Sequence, residues 1–544
     1  MATVGSSAPS FRTSGLIQLT RPQLYWTMAG LMLSVLLSAL DQTIVGTAEP
    51  RIIASLSGFD RYPWVASAYL LTSTLAVPIF AKLSDMYGRK WFFVGGSAGF
   101  VATSALCGAA GTVRLVPLDG MNQLILFRGL QGVGAGMMMG LAFTIIGDIF
   151  SPAERGRYQG FFAATYGMAS IFGPTLGGWL TDHISWRACF YVNLPVGVVA
   201  TAAMYWQFPS WRPHNLRRVL DWFGLFTLIA FFAPLLLALT LVTDFGWGSF
   251  RVQALLALAL LMLAAFIYAE TKAIEPLLPL DLFRNPVISM SSVAVFILGM
   301  GMFGVIMYFP LFMQGVLGVT ATRSGNLLTP LMMASVAGSI ITGQMNLRLA
   351  SYKPSAVGGS ILVALGMILF ARMDASTTSA AVLMAMLVAG FGMGLLMPVY
   401  TVAVQNSAPA RHMGAATAST TFFRSIGSTL GVAIFGSVLL TNYHHDFARS
   451  APAAVPESAL GAFSNPLLLA QMRPQLEATF ARYADGTTIL QSLFANVRMA
   501  LLHGLQLIFL GSAVIMCVAV VLNLLLKDVK LRRSLVPEPE VPVG

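Results

Sequence analysis

Charge is what this chain has least of. Asp, Glu, Lys and Arg make up 10% of its 544 residues, against about a quarter in soluble globular chains, which excludes a soluble protein of this length. Cysteine is scarce too. Cys107, Cys189 and Cys517 are far apart, lie in or beside apolar segments and lack metal-ligand spacing, so neither a disulfide framework nor a cysteine metal centre is expected. The phosphate-cradling sequence G-x-x-x-x-G-K-[ST] does not occur, which leaves an ion gradient or downhill flow as the energy source. The six histidines (His183, His214, His412, His444, His445 and His503) form no H-E-x-x-H or comparable cluster. Adjacent His444 and His445 could hold a metal, but such pairs in a loop are more often solvated. No nucleophile elbow is expected either, so the reading is of a non-enzyme without cofactor or metal. The net charge of +11 raises the question of nucleic acid. The basic residues are dispersed through loops without aromatic interleaving, however, and such a balance in a membrane chain reports orientation against anionic lipid.

Apolar length is what the chain has in abundance: 56% of it is hydrophobic and the mean hydropathy is +0.76. Runs of about 20 apolar residues are long enough to cross a bilayer. They predict an all-α membrane protein with fourteen spans, at 24–48, 63–82, 91–110, 121–148, 158–180, 187–208, 221–241, 251–270, 287–312, 324–345, 355–372, 378–401, 414–440 and 498–526. The first run is too long for a signal sequence and has no small-residue cleavage site, so it is read as an uncleaved span. An even number places both termini on one side. With that side cytoplasmic, the inner tails and loops carry 19 Lys and Arg against 7 in the short outer loops, the bias that sets orientation.

The chain repeats itself. Gly132-Val133-Gly134-Ala135-Gly136 is echoed by Gly390-Phe391-Gly392-Met393-Gly394, and Gly173-Pro174-Thr175-Leu176-Gly177-Gly178 by Gly427-Ser428-Thr429-Leu430-Gly431-Val432. The offsets, 258 and 254 residues, nearly agree. This predicts two six-helix halves in the same orientation, with two helices inserted between them. The expected divisions are a cytoplasmic tail over 1–23, a first bundle over 24–208, and a linker with the inserted helices over 209–286. A second bundle follows over 287–526, including an outer loop 441–497, and then a cytoplasmic tail over 527–544.

Few charges lie inside the predicted spans, and each is costly there. A carboxylate or guanidinium at bilayer depth costs roughly 3 kcal/mol or more unless it is paired, so it marks function by default. Asp41 in predicted helix 1 and Arg128 in predicted helix 4 come out at matching depth, about 6 Å to the outer side of the midplane at 1.5 Å per residue, and are expected to meet or share a polar network. Glu49 is either a second titratable group or an exposed acid at the outer end of helix 1 beside Arg51; its place at the helix end favours exposure. Arg424 lies near the middle of predicted helix 13. It must face the interior or a wet cavity, where binding of an anionic group and pairing with backbone carbonyls are equal readings. Asp148 and Glu270 fall at inner helix ends and are expected to be solvated.

Two further segments carry spacing. Ala81-Lys82-Leu83-Ser84-Asp85-Met86-Tyr87-Gly88-Arg89-Lys90 joins predicted helices 2 and 3, and its Asp85, Gly88, Arg89 and Lys90 can latch helix ends through charge-assisted bonds. Gly173, Pro174, Gly177 and Gly178 permit a kink and close helix approach. On residue type alone that reads as packing. The 29 Met and 36 Phe include clusters such as Met137-Met138-Met139, Met300 to Tyr308 and Met393 to Tyr400 that could line a deformable apolar cavity, though most will face lipid or neighbouring helices.

Taken in order, these segments resemble the major facilitator superfamily, in particular its fourteen-helix drug:proton antiporter branch. The resemblance rests on Leu40-Asp41-Gln42-Thr43-Ile44-Val45-Gly46-Thr47-Ala48-Glu49-Pro50, on Leu83…Asp85…Gly88-Arg89-Lys90, and on Arg128…Gln131-Gly132. To these it adds Gly173-Pro174…Gly177-Gly178 and Trp186-Arg187…Phe190…Asn193-Leu194-Pro195. It implies alternating access by rocking of the two halves, with Asp41 tied to proton or cationic substrate, Arg128 to proton coupling and the Gly-Pro segment to antiport. Its implied partners are a small-molecule substrate, protons and the lipid bilayer, and its implied place is a bacterial plasma membrane. The chain departs from the pattern at Ala81, where the family usually has glycine, and at Glu49, where an apolar residue is usual. The second-half counterpart of the loop, Gly343-Gln344-Met345-Asn346-Leu347-Arg348, has no early acid, so the latch is expected to be asymmetric.

The expected function is therefore proton-coupled efflux of hydrophobic, cationic compounds. The rivals are a proton-coupled transporter of a specific metabolite, lipid or siderophore, and a non-transporting membrane sensor, which would not need Asp41, Arg128 and the Gly-Pro element together. The loop 441–497 is expected to dock a partner or cap the cavity.

Overall fold

The computed structural model describes residues 17–112, 117–150, 152–210, 221–273, 276–278, 280–349, 351–408, 413–450, 460, 463, 465–481 and 485–526. Among these the regular structure is entirely helical. The first half contains α1 (Arg21–Leu56), α2 (Tyr62–Tyr87), α3 (Arg89–Gly108), α4 (Gly120–Ile149), α5 (Pro152–His183), α6 (Ala188–Tyr191) and α7 (Asn193–Gln207). Then come α8 (Trp222–Phe245) and α9 (Phe250–Lys272). The second half contains α10 (Pro286–Leu311), α11 (Ala321–Leu349), α12 (Lys353–Ala371), α13 (Ser379–Ser407), α14 (Met413–Ser450), α15 (Leu469–Phe480) and α16 (Gly486–Leu525). Every predicted span has a helical counterpart, α6 and α7 together making the sixth.

Thirteen helical segments among the described residues are long and apolar enough to cross a membrane, and α5 is not one of them. The reason lies in its packing. One face of it packs between α1 and α11 through Gly173, Gly177 and Gly178 while Phe172 and Trp179 face outward, and the small residues that the close contacts need lower its apolar content.

Several helices outrun their apolar stretches. α1 continues past residue 48 to Leu56, α14 past residue 440 to Ser450, and α16 begins at Gly486 rather than 498. An apolar run measures the part of a helix that needs lipid; the backbone stays helical for as long as one face finds packing. The expected loop 441–497 is accordingly much shorter, and it has a core of its own. Phe463 packs against Phe447, Phe480 and Phe494, and its carbonyl accepts from the Tyr443 hydroxyl at 2.6 Å.

The two halves are built alike. α4 packs on α2 and α3 as α13 packs on α11 and α12, and α5 and α7 pack on α1 as α14 and α16 pack on α10. The glycine echoes in the sequence sit at these contacts. A Cβ at Gly134 would lie 2.7 Å from the Gly96 carbonyl oxygen, and one at Gly392 would lie 2.7 Å from that of Gly359. α8 and α9 pair with each other, and α8 leans on α14 and α2.

Contact between the halves runs through α5 with α11, α2 with α14, and α1 with α10. Hydrogen bonds cross between the halves near Asp60: Gln314 donates to the Thr47 carbonyl at 3.0 Å, the Thr322 amide to Asp182 at 2.7 Å, and His444 faces Asp60 at 3.0 Å. The opposite end of the molecule carries Arg89.

Candidate functional site

Asp41 is completely buried on α1, and its carboxylate is saturated with donors. Oδ2 accepts from Arg128 Nη1 at 2.5 Å, and Oδ1 accepts from Gln131 Nε2 and Asn193 Nδ2, each at 2.9 Å. Arg128 also donates to Gln131 Oε1 at 2.8 Å, and its guanidinium lies over the Tyr69 ring, 4.1 Å from the centroid. Asn193 passes the network on to Ser104 Oγ at 3.1 Å, which donates to the Phe190 carbonyl at 2.9 Å. A buried ion pair is tolerated when its remaining lone pairs and protons are met by hydrogen bonds, and six helices (α1, α2, α3, α4, α6 and α7) contribute to the network here. The expected meeting of Asp41 and Arg128 is thus present, in a larger network than the two charges foretell.

Glu49 lies two turns further along α1 and is 1% exposed, contrary to the expectation of an exposed acid at a helix end. α1 runs on to Leu56, so Glu49 sits within it, and residues of α2, α4 and α10 pack around it. Among the described residues neither of its carboxylate oxygens has a hydrogen-bond partner. It lines a small cavity of about 20 Å³, room for about one water, together with Gln42, Tyr69, Arg128, Phe303 and Met307. That cavity lies between the halves, with α1, α2 and α4 on one side and α10 on the other. Beside it the Tyr62 and Tyr308 rings stack at 5.5 Å, and Tyr308 donates to the Val432 carbonyl at 2.7 Å.

At the Arg89 end the loop between α2 and α3 turns at Gly88, whose φ of +105° suits a residue without a Cβ. Arg89, 5% exposed, forks between Asp85 and Asp148 and donates to Ser84 Oγ at 3.0 Å. Asp148 is therefore buried and paired rather than solvated, and it ties α4 to the loop. Lys90 lies apart from this cluster, near the rings of Trp91 and Tyr205 at 5.9 and 5.7 Å. Glu270 also departs from expectation. It is 4% exposed and accepts from the Leu278 amide at 2.8 Å, because the chain after α9 folds back over it.

The Gly173–Gly178 segment sits where α5 touches both α1 and the second half. A Cβ at Gly173 would strike the Thr43 hydroxyl, one at Gly177 the Ile44 backbone at 2.8 Å, and one at Gly178 the Thr322 backbone at 2.6 Å. Thr175 and Thr329 hydroxyls meet across the halves at 2.9 Å. Close packing is what these residues provide, and it joins the two halves.

Arg424 is half-buried on α14, and among the described residues its guanidinium has no hydrogen-bond or ion-pair partner. His444 faces Asp60, while His445 and His503 flank Asp446 at 3.3 and 2.5 Å; no metal-holding cluster occurs among the described residues. Gly95-Gly96-Ser97-Ala98-Gly99 has the spacing of a nucleophile elbow, which the sequence reading passes over. It lies within the continuous helix α3, and Ser97 pairs with Thr201 at 2.7 Å.

Sequence reasoning missed Tyr69, Asp148 and Asp182 as members of these sites and gave Asn193 no role beyond its motif. Asn193 had a signal, a lone amide inside an apolar helix; Tyr69 had none.

The chain is similar to known proteins over most of its length. The family model of the Major Facilitator Superfamily matches residues 31–432. A Bacillus subtilis protein described as "Multidrug transporter protein MdtP" is 38% identical over 517 residues, covering 93% of this chain and 93% of the relative. "Multidrug resistance protein 3" of the same species is 34% identical over 497 residues, covering 90% and 95%. Among solved structures, a bacterial homologue of the human lysosomal transporter Spinster aligns with a TM-score of 0.63 at 16% identity, covering 93% of this chain and 99% of that one. A D-xylose-proton symporter aligns at 0.54 and 13% identity, covering 82% and 96%.

Proposed function

The chain belongs to the major facilitator superfamily and is a multi-pass membrane transporter, and from that premise we propose that it expels hydrophobic, cationic compounds in exchange for protons. The observation that carries this reading is the buried Asp41–Arg128 pair, set beside a cavity that both halves line. Burying two charges with their full set of donors is costly to assemble and is retained where charge must be handled inside a membrane. The names of the two Bacillus subtilis relatives support drug efflux as the direction of work.

In this reading α5 is the fourteenth span, both termini and the Arg89 end face the cytoplasm, and the membrane is a bacterial plasma membrane. The two halves, divided as the sequence suggests at about 24–208 and 287–526, rock about the cavity, with Gly173, Pro174, Gly177 and Gly178 as the sliding contact. The Asp85–Arg89–Asp148 cluster steadies the cytoplasmic end of the first half. Arg424 stands ready to pair with an anionic group entering the second half.

The test is transport by the purified protein in proteoliposomes with an imposed pH gradient, across cationic dyes and neutral drugs. Gradient-driven accumulation of cationic dyes, lost in Asp41→Asn, is the expected result. Accumulation that persists when the gradient is collapsed sinks the proton-coupled scheme.

A further inference from the structure

We propose that Glu49, and not Asp41, is the group at which a lipophilic monovalent cation and a proton replace one another. The inference rests on the efflux reading and deepens it by assigning the exchange to one side chain. Asp41 is poorly suited to the task. Three donors already hold its two oxygens, and protonating it would strand Arg128, which is 2% exposed, without its counter-charge.

Glu49 is in the opposite condition. It is as deeply buried, yet among the described residues neither oxygen has a donor. A buried carboxyl without donors is tolerated either as the neutral acid or as a carboxylate with a cation beside it. Those are the two states an exchanger alternates between.

The surroundings select the class of cation. The titratable or charged groups facing Glu49 are Arg128 from α4, Tyr62 and Tyr69 from α2, and Tyr308 from α10, with Asp41 two turns back on α1. Among the described residues, α5, α7 and α11 bring none into the cavity lining. Arg128 is already balanced by Asp41, so an ionised Glu49 leaves the cavity one negative charge, which matches a monocation. The remaining wall is Val45, Gly46, Ala66, Leu70, Phe303 and Met307 with the amide of Gln42; mostly apolar and polarisable, it suits an organic cation better than a hydrated metal ion, and its space of about 20 Å³ has to widen as the halves part to admit one.

The exchange balances without covalent chemistry. The Glu49 O–H bond breaks, its proton passes to water, and the resulting carboxylate pairs with the entering cation. At the other face the cation leaves and the carboxylate takes up a proton.

The experiment uses the purified full-length protein and tetraphenylphosphonium as the probe, in weakly buffered solution near neutral pH. Wild type is expected to release about one proton per cation bound. Glu49→Gln, with wild-type elution and melting, is expected to release none and to bind at least about tenfold more weakly. Glu49→Asp keeps the charge and restores proton release, which a merely structural role would not require. Wild-type proton release in Glu49→Gln, or release lost in Asp41→Asn but kept in Glu49→Gln, overturns the inference while leaving the efflux reading intact. A wild-type protein that neither binds hydrophobic cations nor transports them against the gradient overturns both.

Discussion

Asp41 and Arg128 stand 87 residues apart in the chain and 2.5 Å apart in space, and neither side chain is more than 3% exposed. The geometry makes them one unit with Gln131 and Asn193. Removing either charge leaves the other buried and alone, which costs far more than the pair itself contributes.

Arg128→Met is therefore expected to destabilise the first half by about 3–5 kcal/mol. Asp41→Asn combined with Arg128→Met should lose much less than the two single losses added together. The measurement is a double-mutant cycle on thermal unfolding of the detergent-solubilised protein. Additive losses would show that the two groups do not depend on one another.

A second prediction concerns the Arg89 fork. Its guanidinium serves Asp85, Asp148 and Ser84 at once, and a lysine ammonium lacks the planar geometry to do so. Arg89→Lys and Asp148→Asn should each cost about 2–4 kcal/mol, as expected for breaking a buried charged hydrogen bond. Lys90→Gln, outside the cluster, should stay within about 0.5 kcal/mol. Equal effects at Lys90 and Arg89 in melting assays would show that net positive charge, not the fork, is what matters.

How much of this was legible beforehand depends on the kind of signal. Asp41 and Arg128 stood out because a charge in an apolar run is rare, and the depth count placed them level. The glycine echoes revealed the repeat because only a residue without a Cβ fits where backbones nearly touch, as at Gly134 and Gly392. Glu49, Asp148 and Glu270 were misplaced for one shared reason. Hydropathy gives depth along a helix, but exposure is decided by what packs beside it, and those neighbours come from segments 8 to 60 residues away or more. Tyr69 left no trace at all, since a tyrosine in an apolar helix is ordinary until an arginine lies across its ring.

The close approach of α5 to α1 gives a third prediction. Gly177→Ala would push a methyl into the Ile44 backbone, and overpacking of this kind costs about 1–3 kcal/mol. Gly358→Ala has nothing within 4 Å of the new Cβ and should be neutral or slightly stabilising, since alanine favours helix over glycine by up to about 1 kcal/mol. Melting temperatures of the two variants decide it, and transport should fall only in the first. A Gly177→Ala protein as stable and active as wild type would mean that α5 can move away from α1 at no cost.

The last prediction concerns the contact of Asp182 with α11. Asp182 belongs to the first half, yet it accepts from the Thr322 amide at 2.7 Å, the Thr322 hydroxyl at 2.6 Å and the Ala321 amide at 3.3 Å. It therefore caps the first turn of a second-half helix, meeting amides that no carbonyl of their own helix can reach and placing negative charge at the positive end of the dipole. Such a cap is worth about 1–2 kcal/mol, and it exists only while the halves are closed at the Asp60 end. Asp182→Ala should leave each half intact but shift the population toward opening at that end by about 5- to 30-fold, the same energy expressed as an equilibrium. Spin labels on Asp60 and Arg323 would report this as a growing long-distance component, with little change in melting temperature. Thr322→Val, which removes the hydroxyl but keeps the amide, should give a smaller shift in the same direction. If the distance distribution is unchanged in both variants, the cap does not bear on how the two halves part.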